Sequence, residues 1–440
     1  MENNFDTIVA IITPIARSAV GIIRLSGSMS FRIANDIFSR QIKPKMINYG
    51  FIVDNNQKLD EVIILPFKAP HSYTGEDVIE IQTHGNPAIL EKITELIISK
   101  GARLASRGEF TKRAFLNKRI DMTQAEAVID IIDSKSNKSI QNALNNLGGY
   151  LKNEISKIKS SLVDIYSKLI ASIDFPDDVK EVDNNYIVTI CNDNIQQIES
   201  ILRNSKSHDF IRDGISACLI GKPNVGKSSL FNALLNYNRA IVTDIEGTTR
   251  DTIKESLNLE GYIINFIDTA GIRDKNSADT VEKIGIDNSI ETIKQSEIII
   301  FLFENDISEI DSELLKLAKD KERIFVNTKQ DIHNNKLENA LCVSSVTGFG
   351  LDSLKENILN IIRNLIPDDT NYTTNKRQQT CLLRAKEALE NVVQTALTLE
   401  LADLCASDLK SAILALDEIT GEILTDKILD NIFDNFCIGK

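Results

Sequence analysis

The sequence lacks a long hydrophobic run. No apolar segment in its 440 residues approaches the roughly 18–20 residues that a membrane-spanning helix needs. The first residues, MENNFDTIVAIITPIARS, carry an acid where a secretory signal peptide would carry positive charge. We therefore expect a cytoplasmic protein that makes no use of a membrane.

Paired cysteines are lacking as well. The six cysteines lie far apart and form no CxxC pair, and the four histidines show no metal-ligand spacing. This pattern is typical of reduced thiols and argues against a disulfide framework or a zinc site.

Basic residues are fewer than acidic ones, 50 against 63. The net charge is −13, so the surface as a whole does not attract nucleic acid indiscriminately. One stretch is locally basic and is either an RNA contact or a solvated helix and loop face. Its cations are Lys100, Arg103, Arg107, Lys112, Arg113, Lys118 and Arg119.

What the sequence contains is an ordinary globular composition on a chain too long for one core, which favours two or three domains. Residues 1–118 mix short β-rich runs with one helix near Ile89–Lys100, typical of a small α+β domain. Helical periodicity fills residues 119–212 and returns over 368–440. Between them, strands alternate with helices over residues 213–367, the pattern of a mostly parallel sheet. We predict one all-α helical domain, discontinuous in sequence, that carries the α/β domain as an insertion.

A phosphate-binding motif follows the strand predicted at Ile215–Ile220. The sequence GKPNVGKS over residues 221–228 reads GxxxxGKS and leads into a helix. Its glycines let backbone N–H groups wrap phosphates, and the helix N-terminus adds its positive end. Lys227 is expected to neutralise the β- and γ-phosphates and the Ser228 hydroxyl to bind Mg²⁺. The inserted domain is therefore predicted to be an α/β P-loop domain.

Three further segments follow in the order that GTPases show. The DTAG sequence at 268–271 offers a carboxylate near Mg²⁺ and a glycine N–H near the γ-phosphate. The TKQD sequence at 328–331 resembles the guanine motif NKxD, with Thr328 in place of asparagine. Ser344 and Ser345 begin a weak version of the loop beside the base. Asp331 alone could be a surface turn carboxylate, but in this ordered set it favours GTP over ATP.

Several segments resemble the MnmE (TrmE) family of tRNA-modification GTPases. They include DTIVAIITPIARSAVGIIRLSG, HSYTGEDVIEIQTHG, RGEFTKRAFLNKRIDMTQAEAVIDII, SIDFPDD and the final FCIGK. The likeness runs from Asp6 to Lys440 and lies mostly outside the generic GTPase motifs. We therefore expect a multidomain fold with an N-terminal α+β domain for folate binding and dimerisation (1–118), a helical domain in two parts (119–212 and 368–440), and an inserted α/β P-loop GTPase domain (213–367).

The resemblance implies a full set of nucleotide contacts. The expected GTP-binding residues are Asn224, Val225, Gly226, Lys227, Ser228, Ser229, Thr243, Asp244, Ile245, Glu246, Gly247, Thr248, Thr249, Asp268, Thr269, Ala270, Gly271, Thr328, Lys329, Asp331, Ser344 and Ser345.

The resemblance also implies two cations. Mg²⁺ would be held by Ser228 and Thr249. The expected K⁺ ligands are Asn224, Thr243, Ile245 and Thr248.

A water-positioning group is needed, because Ile272 stands where Ras-type enzymes place a glutamine. The family's glutamate matches Glu282, which could otherwise be an ordinary first-turn helix acid. With Lys227, it completes the expected catalytic pair of the GTPase site.

The family binds a 5-formyl-tetrahydrofolate-like one-carbon donor. The matching positions here are Arg24, Glu80, Arg119 and Lys440. Arg119 stands where the family usually has lysine, and a guanidinium is not interchangeable with an ammonium. Cys437 could assist the carbon transfer, or it could be a small packing residue.

The implied function is K⁺-dependent GTP hydrolysis in tRNA modification. A homodimer would act with an FAD-dependent MnmG (GidA)-type partner to add an aminomethyl or carboxymethylaminomethyl group at C5 of the wobble uridine in certain tRNAs. The alternatives are a ribosome-assembly or regulatory GTPase like Era or EngA, and a P-loop ATPase. The N-terminal segments and the FCIGK end argue against the first of these.

Overall fold

The computed structural model describes residues 6–134, 136–212, 214–237, 255–267, 290–332, 340–366, 372–398 and 402–440. The chain divides into two compact units. The first contains residues 1–129, 147–187 and 387–440, and the second contains residues 130–146 and 188–386. Within the described ranges, no helix is long and apolar enough to cross a bilayer.

The first unit contains a six-stranded sheet with the order β3-β4-β5-β2-β1-β6. Its strands are β1 Ile8–Ile11, β2 Ser18–Ser26, β3 Asn48–Asp54, β4 Gln57–Phe67, β5 Val78–Gly85 and β6 Arg103–Leu104. All neighbours are antiparallel except β1 and β6. Helices α1 (Ser30–Ile37) and α2 (Pro87–Ser99) pack their apolar residues on one face, so α2 confirms the helix predicted near this position.

Side chains alternate between the two faces of this sheet. In β2, Ile23 and Leu25 are fully buried in the core that α1 and α2 cover. Arg24 lies between them and therefore faces the opposite side, directly across from Glu80 of β5. The alternation thus places two charged residues on the face away from the core helices.

Seven more of the described helices precede the second sheet along the chain or lie near the chain's end. They are α3 Glu109–Leu116, α4 Met122–Asp133, α5 Asn137–Leu147, α6 Tyr150–Asp174, α7 Asn184–Arg212, and, near the end of the chain, Ala402–Thr420 and Asp426–Phe433. Helix α6 packs against Ala402–Thr420 in the first unit. Its buried residues recur every three or four positions, as expected for an amphipathic helix. They are Leu151, Ile155, Ile158, Leu162, Ile165 and Leu169.

The second unit contains a six-stranded sheet with the order β12-β11-β10-β7-β9-β8. Its strands are β7 Ile215–Ile220, β8 Glu255–Leu259, β9 Tyr262–Phe266, β10 Ile298–Phe303, β11 Glu322–Asn327 and β12 Leu341–Cys342. All pairs are parallel except β8 with β9. Every residue of β10, IIIFLF, is buried, because helices cover both faces of the sheet.

The covering helices are α8 Lys227–Tyr237, α9 Ser312–Leu317 and α10 Leu351–Leu365, and the chain then continues into α11, Lys376–Thr398. Helices α8 and α10 contribute to the core on one face and α9 to the core on the other. Numbered along the chain, the last two helices are α12 (Ala402–Thr420) and α13 (Asp426–Phe433). An α+β layer, several long helices and a doubly covered α/β sheet confirm the predicted multidomain fold class.

A buried arginine is surrounded by carboxylates in the first unit. Arg113 is 2% exposed and donates to Asp6, Glu76 and Glu109. Glu109 also accepts from both terminal nitrogens of Arg103, at 2.6 and 2.8 Å, and from the Ser106 N–H. Burial alone would raise the pKa of Glu109, but these hydrogen bonds outweigh it and lower the pKa from 4.5 to about 2.

The low pKa of Glu109 predicts a specific pH dependence of stability. Its contribution is fully present above its ordinary value of 4.5 and is lost as the pH falls toward about 2. Glu109→Gln should lower the melting temperature at neutral pH. Between about pH 5 and 3, the melting temperature of this variant should fall less than that of the unaltered protein. Glu91→Gln, an exposed change on α2, is the control. Parallel acid profiles for all three proteins would contradict the prediction.

Candidate functional site

The loop between β7 and α8 has the backbone geometry of a phosphate-binding loop. Asn224 and Gly226 have φ values of 65° and 101°, in the left-handed region. A Cβ on Gly221 would lie 2.5 Å from the Leu302 carbonyl oxygen of β10. The chain therefore leaves β7 at a point where only glycine fits, and it reaches α8 at Lys227.

Lys227 lies back over this loop. Its Nζ donates to the carbonyl oxygens of Gly221 at 2.6 Å and Lys222 at 3.0 Å. Burial lowers the pKa of Lys227, so a nearby anion would stabilise its charged form. Ser228 and Ser229 follow in the first turn of α8, and a helix N-terminus favours phosphate.

Thr328 joins the guanine loop to the phosphate loop. Its buried Oγ1 donates to the Val225 carbonyl oxygen at 2.7 Å, and the Phe303 carbonyl oxygen lies at 3.3 Å. A hydroxyl has a single proton to donate, so the shorter contact is the main hydrogen bond. The threonine that replaces the usual asparagine thus supplies a donor between the two loops.

The remaining guanine-loop residues come together at the ends of β11 and β12. The Ser344 Oγ donates to Asp331 Oδ1 at 2.6 Å, and the Gln330 N–H donates to the Val343 carbonyl oxygen. Lys329 has a φ of 56° and forms an ion pair with Glu304. Ser345 is the neighbour of Ser344 and is half-buried. The carboxylate predicted to recognise guanine is thus held by a serine predicted for the same site.

Part of the predicted nucleotide site lies outside the described residues. These residues are Thr243, Asp244, Ile245, Glu246, Gly247, Thr248, Thr249, Asp268, Thr269, Ala270, Gly271 and Glu282.

Removal of the Thr328 hydroxyl should weaken nucleotide binding. Thr328→Val leaves the Val225 carbonyl oxygen without its donor, which costs about 1 kcal/mol or more, or about fivefold in the affinity for GDP. Titration with a fluorescent GDP analogue measures this loss. Thr328→Ser and Thr328→Asn keep a donor and should retain most of the affinity. Tight binding by Thr328→Val would show that the inter-loop bond is dispensable.

A second candidate site lies on the face of the first sheet opposite α1 and α2. Arg24 Nε and Nη2 lie 2.8 and 2.7 Å from Glu80 Oε1. The Arg24 guanidinium also lies 5.0 Å from the centre of the Tyr73 ring and 5.6 Å from that of Phe110. Its remaining nitrogen, Nη1, is buried and has no hydrogen-bond partner among the described residues. A buried donor without a partner favours a bound acceptor.

Arg119 joins this cluster through Tyr73. Its guanidinium lies 5.1 Å from the ring centre, and its Nη1 donates to the Tyr73 carbonyl oxygen at 2.7 Å. The Tyr73 hydroxyl lies 2.8 Å from Thr111 Oγ1. One aromatic ring therefore contacts both arginines predicted for the folate site, through cation–π interactions.

The end of the chain reaches the same place. The Phe110 N–H donates to the Lys440 carbonyl oxygen at 2.9 Å, and the Gly108 N–H to that of Cys437 at 3.4 Å. Burial lowers the pKa of Lys440, and the charge of Arg24 lowers it further. Cys437 is a free, exposed thiol. The structure thus brings the four predicted folate residues to one pocket, with Cys437 in the adjoining tail.

Three residues of these sites were not predicted from the sequence. Tyr73 lies in the HSYTGED segment and Phe110 in RGEFTKR, but only the fold shows that they contact Arg24. Glu304 follows β10 and pairs with Lys329. Its position directly after a buried parallel strand was the available signal, since such strand ends carry ligand sites.

Comparison with known proteins shows the family of this chain. The model "MnmE helical domain" matches residues 122–437, and "GTP-binding protein TrmE N-terminus" matches residues 7–119. A tRNA modification GTPase MnmE of Aquifex aeolicus is 40% identical over 99% of this chain and 100% of its own length. The chain belongs to the MnmE family of tRNA modification GTPases. A Streptococcus thermophilus member is 39% identical over the full length of both chains.

Membership of the MnmE family confirms the predicted GTPase and rejects the ATPase alternative. Among solved structures, the G domain of the FeoB iron transporter of T. maritima is 28% identical over 33% of this chain and 97% of that chain, with a TM-score of 0.25. The MnmE assignment depends on the family models and on the full-length relatives.

Proposed function

We propose that this protein couples K⁺-dependent GTP hydrolysis to the addition of an aminomethyl or carboxymethylaminomethyl group at C5 of the wobble uridine in certain tRNAs. An FAD-dependent MnmG-type protein would be its partner. The observation that carries the proposal is the pocket of Arg24, Glu80, Arg119 and Lys440. A ribosome-assembly GTPase, the alternative, would have no use for this pocket.

The phosphate loop supports the proposed role of its residues in GTP hydrolysis. Lys227 and the start of α8 would neutralise the β- and γ-phosphates, and the Ser228 hydroxyl would hold Mg²⁺ with Thr249. Glu282 would orient the attacking water. Thr249 and Glu282 lie outside the described residues, and their roles are proposed from the resemblance of their segments to the family.

Asn224 is the described residue that we propose as a K⁺ ligand. It adopts a left-handed conformation within the loop, and an amide oxygen is a suitable hard ligand for such a cation. K⁺ beside the phosphates would supply the positive charge that an arginine supplies in other GTPases. Thr243, Ile245 and Thr248 would complete its coordination.

This proposal predicts a monovalent-cation effect on GTP hydrolysis. The unaltered protein should hydrolyse GTP faster in K⁺ than in Na⁺ at equal ionic strength, by about tenfold or more if the ion replaces an arginine. Asn224→Ala should remove most of that difference while Mg²⁺-dependent GDP binding remains. Phosphate release measured in matched chloride salts tests this. Equal rates in the two salts would reject the K⁺ site.

We propose that the cluster around Arg24 binds a folate carrying a formyl group, which would supply the one-carbon unit. Arg24 Nη1 offers an unused buried donor, and Glu80 offers a half-buried acceptor. Arg119 and Lys440 add positive charge suited to folate carboxylates. The Tyr73 ring fixes both guanidinium groups, so the donors are held in place before a ligand binds.

Loss of the Arg24 guanidinium should weaken folate binding without changing GTP hydrolysis. Arg24→Ala should reduce the affinity for 5-formyl-tetrahydrofolate by at least about tenfold, because a charge-assisted hydrogen bond contributes about 1.5–3 kcal/mol. GTP hydrolysis should remain. Calorimetry and phosphate release measure the two effects, and Lys118→Ala is an exposed control from the adjoining turn. Unchanged folate affinity would remove Arg24 from the pocket.

The exposed part of the sheet face opposite α1 and α2 supports the proposed homodimer. Residues on this side of the sheet alternate with the core residues and include large apolar side chains that are exposed to solvent. They are Val20, Tyr49, Ile63 and Phe67. We propose that residues 1–118 form the dimerising folate domain, 119–212 and 368–440 the helical domain, and 213–367 the GTPase domain.

A further inference from the structure

A cluster of exposed cations follows α1 in the first unit. Arg32 lies on the helix, and Arg40, Lys43 and Lys45 lie on the segment that leads to β3. All four side chains belong to exposed residues. We call these four residues the basic loop surface. It is a local excess of positive charge on a chain whose net charge is −13.

These four cations differ in their partners from five other cations of the same sheet layer, which form ion pairs. Arg24, Lys68, Arg103, Lys112 and Arg113 each have a carboxylate oxygen within 4.0 Å. Within the part of the chain that the structure describes, no ion pair involves a member of the basic loop surface. Its charge is therefore available to an external anion.

The segment that carries these cations is held in one conformation by two buried or half-buried asparagines. Asn35 Oδ1 accepts from the Ile42 N–H at 2.8 Å. Asn48 Oδ1 accepts from the Lys43 N–H at 2.8 Å, and its Nδ2 donates to the carbonyl oxygens of Lys43 and Met46. The side chain of Ile42 is buried in the sheet core. The cations thus project from a braced segment, which lowers the ordering cost of binding.

The shape of this surface suits an extended anion. A shallow concavity of about 560 Å³ lies beside α1, and Arg32 and Arg40 line it together with Ser39 and Gln41. Asp36 is the one carboxylate among its lining residues. Two cations with hydroxyl and amide groups beside them form the donor set that contacts phosphate and sugar oxygens in nucleic-acid complexes.

We propose that the basic loop surface binds the sugar-phosphate backbone of the tRNA substrate. This inference rests on the proposed function, which makes tRNA the polyanion that the protein must meet. The basic stretch from Lys100 to Arg119 is the competing surface. Carboxylates already neutralise its Arg103, Lys112 and Arg113. Arg119 belongs to the candidate folate site, so three cations remain there against four on the basic loop surface.

The test is a tRNA-binding titration as a function of salt. The triple variant Arg40→Gln, Lys43→Gln, Lys45→Gln removes three charges from the surface of the full-length protein. Because each phosphate contact releases counterions, the slope of log affinity against log salt should become shallower by about 2–3. Affinity for fluorescently labelled bulk tRNA should fall at least about tenfold near 50 mM KCl.

The matched control is the triple variant Lys100→Gln, Arg107→Gln, Lys118→Gln, which removes the same charge from the competing surface. It should keep the tRNA affinity and the slope of the unaltered protein. Both triple variants should hydrolyse GTP normally, because neither changes the nucleotide loops. Equal losses of tRNA binding in the two variants would show a general charge effect and overturn the proposal.

Three further outcomes show whether the surface assignment, or the proposed function as well, is wrong. If the unaltered protein binds tRNA and the Arg40, Lys43, Lys45 variant binds it equally well, the surface assignment is wrong and the proposed function stands. The same holds if that variant binds tRNA normally but fails to support modification in cells, since the surface then serves a protein partner. Failure of the unaltered protein to bind tRNA would count against both.

Discussion

A buried cation is stable only when anions or acceptors surround it, and this constraint distinguishes the structural charges of this protein from the functional ones. Arg113 is buried and contacts three carboxylates, so its charge is balanced within the fold. Arg24 is paired with a single carboxylate, that of Glu80. Lys227 contacts two carbonyl oxygens, and burial lowers its pKa.

Arg24 and Lys227 are the cations that the two candidate sites present to a ligand. Lys227 lies over a loop shaped for phosphates, and Arg24 and Lys440 share a pocket where a carboxylate-bearing cofactor would add the missing negative charge. The two sites thus follow one electrostatic principle, although their folds and proposed ligands differ. Ligand binding then stabilises each site as well as filling it.

The sequence predicted the parts of the sites that depend on local order. The phosphate loop needs only consecutive residues between a strand and a helix, so its motif was sufficient, and β7 and α8 lie where it requires them. The role of Tyr73 could not be predicted, because it depends on the approach of Arg24 and Arg119 from distant parts of the chain.

Thr328 is another residue whose contact could not be predicted from the sequence. The sequence showed a departure from the family's asparagine, but only the packing of β11 beside the phosphate loop shows that its hydroxyl reaches Val225. The grouping of helices into compact units likewise depends on which apolar faces meet, and α6 packs with α12 in the same unit as the N-terminal sheet. Periodicity predicts such a face but not its partner.

If this protein acts in the modification of wobble uridines, its loss must change the modified nucleosides of tRNA. Nucleoside mass analysis of bulk tRNA from cells with and without this gene measures that change. We expect that loss of the gene removes the aminomethyl-type group from C5 of wobble uridines, and that restoring the gene restores the group. An unchanged set of modified nucleosides would reject the proposed function and leave a GTPase with another role.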